Sequence, residues 1–356
     1  MKRIGIYHSK DMDGICCGAI MKLKYPDITL IGFDYGENIW LKLMAAGFAS
    51  EEKNEAEPPT CFPPDGFDGE VIMADVSLKR DEMFKLAEWC GNRFTWIDHH
   101  KSAIEDVCGA ISPGYRRYGL INPANEKVNI NVYVEVGPAA CELCWDYLIK
   151  NSRVHQDTPD VVQLLGEYDT WRNQDKDRWD NCIMPYQYGM RLICTGVDDF
   201  PMDLFGYAQP PVLPYMTPCP VTEKGLRILH DGRTVLKYQK QQNTRAAQFT
   251  AFEVEFEGLR AICMNNGGAN SQLFESVYDE AKHDIMIPFV FTGKHWTFSI
   301  YSTKPDIDCS ELAKKYGGGG HKGAAGFQVT DAHWFAETFL IFRKQERSVP
   351  FKDEPL

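Results

Sequence analysis

Four short apolar runs punctuate the first hundred residues: IGIY at 4–7, ITLIGF at 28–33, VIMA at 71–74 and FTWI at 94–97. Each has the length of a buried strand. Between the first two, residues 14–24 repeat their apolar positions at helical spacing, and residues 78–90 do so before the fourth. Strand, helix, strand, helix is the rhythm of a parallel α/β sheet. Helical spacing returns over 138–150 (PAACELCWDYLIK) and 158–168. Residues 206–220 then hold five Pro in fifteen positions, which neither a helix nor a central strand accommodates, so a domain boundary is expected there. A polar helix follows over 222–247, and EVEFEG, RAICMN, IMIPFVFTG and HWTFSIYS read as strands of a smaller second domain. The expected fold is α/β in two lobes: a parallel-sheet domain over 1–205, a Pro-rich linker and connecting helix over 206–247, and a smaller mixed α/β domain over 248–356.

Composition narrows the function. The 356 residues are 44% hydrophobic and 25% charged, as in ordinary globular proteins, and the net charge is −12. A grip on long DNA or RNA requires many Lys and Arg against phosphates, so long nucleic acid is not the expected partner and a small substrate is. No apolar run has the length of a membrane helix and the N-terminus does not read as a signal peptide, so no membrane contact and a cytoplasmic location are expected. The twelve scattered Cys accordingly read as reduced, small hydrophobic residues. The charge is uneven: residues 51–70 form an acidic, Pro-rich insert with seven acids against one Lys, expected to be a solvated loop. Oligomeric state is not fixed by the sequence, and a homodimer is compatible with it.

Three of the four apolar runs stop at residues that hold divalent metals: His8 followed by Asp11 and Asp13, then Asp75, then Asp98-His99-His100. Open α/β sheets bind ligands beyond the carboxyl ends of their strands, where separate loops converge. Each Asp singly is explained as the N-cap of the next helix; the set is not. Asp169, ahead of Trp171, adds a further carboxylate, and Trp171 is either a core anchor or a wall of the cleft. A mixed His and carboxylate set suits Mn²⁺ better than Ca²⁺, and two ions sharing a site assist hydrolysis of a phosphate ester.

These residues resemble the DHH phosphoesterase superfamily. Its first motif is seen as HSKDMDG (8–14), its second as the Asp of MADVS (73–77), its third as IDHHKS (97–102) and its fourth as the Asp of EYDTW (167–171). GGGGHKGAAGF at 317–327 resembles the signature of the C-terminal DHH-associated domain. The resemblance implies two Mn²⁺ ions, one held by His8, Asp11 and Asp75 and the other by Asp13, Asp75, His99 and Asp169, with Asp75 bridging. It further implies that His100 faces the substrate phosphate and that Asp98 orients a neighbouring His. The glycine-rich segment, with Gly318, Gly319, Gly320, His321 and Lys322, is expected to bind substrate away from the scissile bond, since consecutive Gly let backbone N–H groups approach a phosphate.

Residues 299–327 most resemble the oligoribonuclease and cyclic-nucleotide phosphodiesterase branch of nanoRNase B type. Many of those relatives have Arg where this chain has Tyr301, so Tyr301, with Ser302, is a candidate for stacking on a base rather than pairing with a phosphate. The function implied is hydrolysis of short oligonucleotides, or of cyclic or linear dinucleotides, to mononucleotides. The alternatives are a phosphomonoesterase acting on a small nucleotide such as a bisphosphate and, in another class, a nucleotide sensor without hydrolytic activity.

Overall fold

The computed structural model describes residues 1–48, 66–109, 118–150, 157–206, 222–267 and 270–330. Positions 51–65 of the acidic insert, 207–220 of the Pro-rich segment and 331–356 of the second domain therefore lie outside the described residues. The chain divides into two compact units, Met1–Val235 and Leu236–Leu356.

In the first unit β1 (Lys2–His8), α1 (Met12–Lys24), β2 (Thr29–Phe33), α2 (Ile39–Ala45), β3 (Gly69–Ala74), α3 (Arg80–Trp89), β4 (Phe94–Asp98) and α4 (Lys101–Cys108) alternate along the chain. β1 pairs in parallel with both β2 and β3, and β3 with β4. A hairpin that the apolar pattern does not announce, β5 (Tyr118–Asn122) and β6 (Asn125–Val134), completes the order β2-β1-β3-β4-β6-β5, with β6 parallel to β4 and β5 antiparallel at the edge. It escapes a search for apolar runs because β6 opens on polar residues and its Asn131 amide is satisfied in place by Tyr147 and Thr95.

Both faces of this sheet are covered, as parallel sheets require. Ile4, Ile6, Val71, Met73, Phe94 and Trp96 point to one face, where they form one core with residues of α2, α3 and α4. α1 packs on the other face together with α5 (Ala140–Trp145) and α6 (Asp160–Asp169). The helix expected over 138–150 is present but widens after Trp145 into a π turn, Asp146–Lys150. Its Cys141 and Cys144 are buried thiols whose sulfurs lie against the carbonyls of Val162 and Cys17, so they are core residues. Among the described residues nine cysteines are free, while Cys182 is disulfide-bonded and departs from the reduced state expected of all twelve. The unit continues through α7 (Lys176–Arg178) and α8 (Met184–Ile193) into α9 (Glu223–Thr250), within which the division between the units falls.

The second unit is a mixed sheet of β7 (Phe252–Phe256), β8 (Leu259–Asn265), β9 (Ile285–Phe291), β10 (Trp296–Tyr301), β11 (Gly319–His321) and β12 (Ala324–Val329), with α10 (Cys309–Lys314) beside it. Its order is β11-β12-β10-β9-β8-β7, and only β8 and β9 run parallel. Phe298 and Tyr316 stack on Phe327, at centroid distances of 4.9 and 4.7 Å, to centre its core. Among the described residues no helix is long and apolar enough to cross a membrane.

Candidate metal centre

The strand order reverses around β1: the chain places β2 on one side of it and β3 on the other. At such a switch point the loops beyond the carboxyl ends part and leave a crevice. His8 ends β1, Asp75 follows β3, and Asp98 ends β4, so the topology alone gathers three of the candidate residues there.

α1 brings in the next two. Asp11 is its N-cap and accepts the Gly14 N–H through Oδ1 at 2.9 Å, while its Oδ2 lies 2.8 Å from His8 Nδ1. The capping explanation and the ligand explanation for this Asp therefore hold together. Gly14 is needed because a Cβ there would stand 2.1 Å from the His8 carbonyl oxygen. Asp13, in the first turn, is buried, and its two oxygens accept the N–H groups of Ala140 and Cys141 at 2.9 and 2.8 Å. It thus satisfies donors at the start of α5 that would otherwise be orphaned.

Asp75 sits at φ 62°, in the left-handed region that a non-glycine residue occupies at a cost of about 1–3 kcal/mol. It is 1% exposed, and neither carboxylate oxygen has a hydrogen-bond partner. Oδ2 lies 3.6 Å from His8 Nδ1 and Oδ1 lies 3.4 Å from His99 Nε2. His99 Nε2 is also 3.3 Å from Asp169 Oδ2 and 3.7 Å from Asp13 Oδ2. Two triads result, His8 with Asp11 and Asp75, and Asp13 with His99 and Asp169, each with donor atoms within 4.8 Å of one another.

His8 Nδ1 and His99 Nε2, like the Asp75 oxygens, are buried without a properly aligned hydrogen bond despite the short distances. Buried polar atoms left this way in close mutual contact call for a partner that the protein itself does not provide. Hard carboxylate oxygens and imidazole nitrogens in this arrangement fit divalent metal ions.

The electrostatics agree. Burial, and then the Asp75 charge, push the Asp13 carboxyl up to about 8; burial, and then Asp13, push Asp169 up to about 7. Burial, with Asp11, also raises Asp75. Burial works against a charged ring at His8 and His99, but the neighbouring carboxylates more than reverse it, to about 11 and about 10. Four carboxylates share the site with too few cations, a deficit that divalent ions would remove.

Asp98 and His100 form a hydrogen-bonded pair that adjoins the triads, with His100 Nδ1 3.9 Å from Asp75 Oδ1. Asp98 is fully buried and its Oδ1 accepts His99 N–H at 2.7 Å, His100 N–H at 3.1 Å and His100 Nδ1 at 2.8 Å. Burial favours the neutral acid, but the hydrogen bond and charge of His100 hold the carboxyl below its ordinary value; in return, against its own burial, His100 rises to about 8. Sequence reading missed Asp34, whose Oδ1 is 3.4 Å from His8 Nε2. It follows β2 as Asp75 follows β3, which was the available signal.

The remaining candidates belong to the second unit. Gly319–His321 is a strand paired with β12, not an open loop. A Cβ at Gly318 would meet the Gly326 carbonyl at 2.1 Å, and one at Gly320 would meet Ala325 Cα at 2.6 Å, whereas Gly319 faces open space. Two of these glycines are therefore fixed by close packing in the hairpin. Lys322 follows β11, and its carbonyl accepts the Cys309 N–H at 2.8 Å. Ser302 donates its hydroxyl to the Asp284 carbonyl at 2.8 Å. Tyr301 is half-buried against the cluster that includes Ile262, Met264 and Met286.

No family model matches the chain. The oligoribonuclease NrnB of Bacillus subtilis (strain 168) is 21% identical, over 94% of this chain and 76% of its own length. Among solved structures, the DHH domain of a member of a family of ribosomal proteins aligns with a TM-score of 0.55 at 14% identity, covering 96% of this chain and 86% of that one. The pGpG-specific phosphodiesterase PggH of Vibrio cholerae aligns with a TM-score of 0.46 at 14% identity, covering 95% and 97%.

Proposed function

We propose that the chain is a metal-dependent phosphoesterase of the DHH superfamily and that its reaction is the Mn²⁺-assisted hydrolysis of short oligonucleotides, or of cyclic or linear dinucleotides, to mononucleotides. One observation carries the reading: of the two unpartnered oxygens of buried Asp75, Oδ2 faces His8 of its own triad and Oδ1 faces His99 of the other. That is the geometry of a bridging ligand. His8, Asp11 and Asp75 would hold one ion, and Asp13, Asp75, His99 and Asp169 the other.

When bound, two divalent ions lower the pKa of an attacking water and offset the charge that gathers on the phosphate oxygens. The protein does the rest. The strained backbone at Asp75 fixes the carboxylate between the triads before any ligand arrives. The Asp98 carboxylate holds His100 through Nδ1, which fixes the ring and leaves Nε2 to hydrogen-bond the phosphate or pass a proton to the leaving oxygen. Within the second unit, Gly319, His321 and Lys322 are the proposed substrate-binding residues, with Gly318 and Gly320 shaping the hairpin and Tyr301 and Ser302 supporting it. An oligoribonuclease among the relatives supports a nucleotide substrate.

The test is incubation with Mn²⁺ and a panel of short RNA and DNA oligomers, cyclic mononucleotides, cyclic and linear dinucleotides and a nucleoside bisphosphate, with products identified by mass. Fastest turnover on oligomers or dinucleotides is expected. Preference for the bisphosphate would make the protein a phosphomonoesterase, and inertness across the panel would leave a nucleotide sensor.

A further inference from the structure

Two large aromatic residues of the first unit remain exposed, one with its ring near His8 and one two residues beyond Asp169. Tyr35 stands two residues beyond β2 and is 52% exposed. Its ring centroid is 5.8 Å from that of His8, with the two rings tilted by 59°. The ring is thus packed near His8 while about half of the residue stays open to solvent.

Trp171 is its counterpart on the other triad. It stands two residues beyond Asp169 and is 54% exposed, which excludes the core-anchor role. Its backbone is in the left-handed region at φ 55°, where a bulky side chain is an outlier. The turn is held by Trp171 N–H to Tyr168 O at 3.1 Å and Arg172 N–H to Glu167 O at 3.0 Å. The indole meets Trp179 edge to face at 5.0 Å, so its position is fixed although more than half of its surface faces water. Glycine or asparagine would make the same turn with less strain, so the tryptophan is kept there at a cost that its edge contact with Trp179 offsets only in part.

Aromatic faces held rigid and exposed are what unpaired nucleobases stack upon. We propose that Tyr35 and Trp171 are base-stacking residues on opposite sides of the metal centre, so that the preferred substrate carries a nucleobase on each side of the scissile phosphate. This rests on the hydrolase reading above and narrows it: a linear dinucleotide engages both rings, whereas a phosphomonoester engages one.

The experiment uses the full chain with Mn²⁺ and three substrates: a linear dinucleotide and its two analogues, each with one nucleoside made abasic. Stacking on one ring is worth about 5- to 150-fold in affinity. Trp171→Ala and Tyr35→Ala should each raise KM for the intact dinucleotide by about tenfold or more, with kcat and Mn²⁺ affinity within about twofold of wild type. Trp171→Phe should restore most of the loss. The effect of Trp171→Ala should vanish on one abasic analogue and that of Tyr35→Ala on the other. An unchanged KM in both variants, or both effects vanishing on the same analogue, would overturn the assignment while leaving the hydrolase intact. A wild-type protein inert toward the dinucleotide would overturn the hydrolase reading and this one with it.

Discussion

Replacing Asp75 by Asn tests the metal centre with the least disturbance to the fold. Asn keeps the shape of the side chain and tolerates the left-handed backbone that Asp75 occupies at φ 62°, whereas Ala would add strain to the loss of the ligand. The surroundings of Asp75 on balance disfavour its charged form, burial first and Asp11 second. The neutral isostere should therefore leave the metal-free protein melting within about 3 °C of wild type, roughly 1 kcal/mol for a unit of this size. The metal-bound protein should respond very differently. Free Mn²⁺ at 100 times its Kd stabilises a single site by about 2.7 kcal/mol, which is about 5–11 °C at 2–4 °C per kcal/mol. Since Asp75 faces both triads, its loss should remove most of that shift at both. Turnover should fall by about 10³-fold, the equivalent of ~4 kcal/mol of transition-state charge stabilisation. Thermal melts with EDTA and with Mn²⁺, together with bound metal per chain and hydrolysis rates, read out all three quantities. A variant that keeps the wild-type Mn²⁺ shift and turns over within about tenfold of wild type would show that the two triads do not share this carboxylate.

Two further outcomes are expected. Gly318→Ala should destabilise the second unit by about 1–3 kcal/mol, because the new Cβ meets the Gly326 carbonyl at 2.1 Å, while Gly319→Ala, which faces open space, should be silent; melts of the two variants compare them directly, and equal effects would refute the close-packing explanation. The metal-free protein should also become more stable as pH falls from about 10 toward 5. Asp13 and Asp169, raised to about 8 and 7 from an unfolded value near ~4, favour the folded state as they take up protons. His8 and His99, raised to about 11 and 10, contribute stability that is full below their unfolded value near ~6.5 and lost as pH climbs through the folded values. Metal competes with those protons, so Mn²⁺ should flatten or invert the trend. Melts in EDTA whose midpoints rise with pH over that window would contradict the described electrostatics.

Much of the first unit was legible because parallel strands buried on both faces leave unbroken apolar runs, and those runs end at the His and Asp residues that the fold gathers. His8, Asp75 and Asp98 could be placed by that rule alone. The β5–β6 hairpin could not, since Asn131 in β6 is satisfied by side chains distant in sequence and leaves no apolar trace. Neither could the second role of Asp13, whose partners are backbone groups 127 and 128 positions away. The glycine run was legible as a departure from a linker but not as a strand, because what requires glycine there is the backbone of β12 and not the run itself. Tyr35 left no signal at all: exposure beside a site is a property of the folded surface, and one tyrosine after a strand is ordinary.

The double duty of Asp13 decides how a catalytically dead yet intact protein should be made. Changing it would remove a proposed metal ligand and at the same time release two amides at the start of α5, so a null phenotype from that position would not distinguish a lost reaction from a damaged helix. Asp169, at the end of α6 with no such helix to hold, is the better choice for trapping a bound substrate, and a library that scores only loss of activity would rank the two as equivalent.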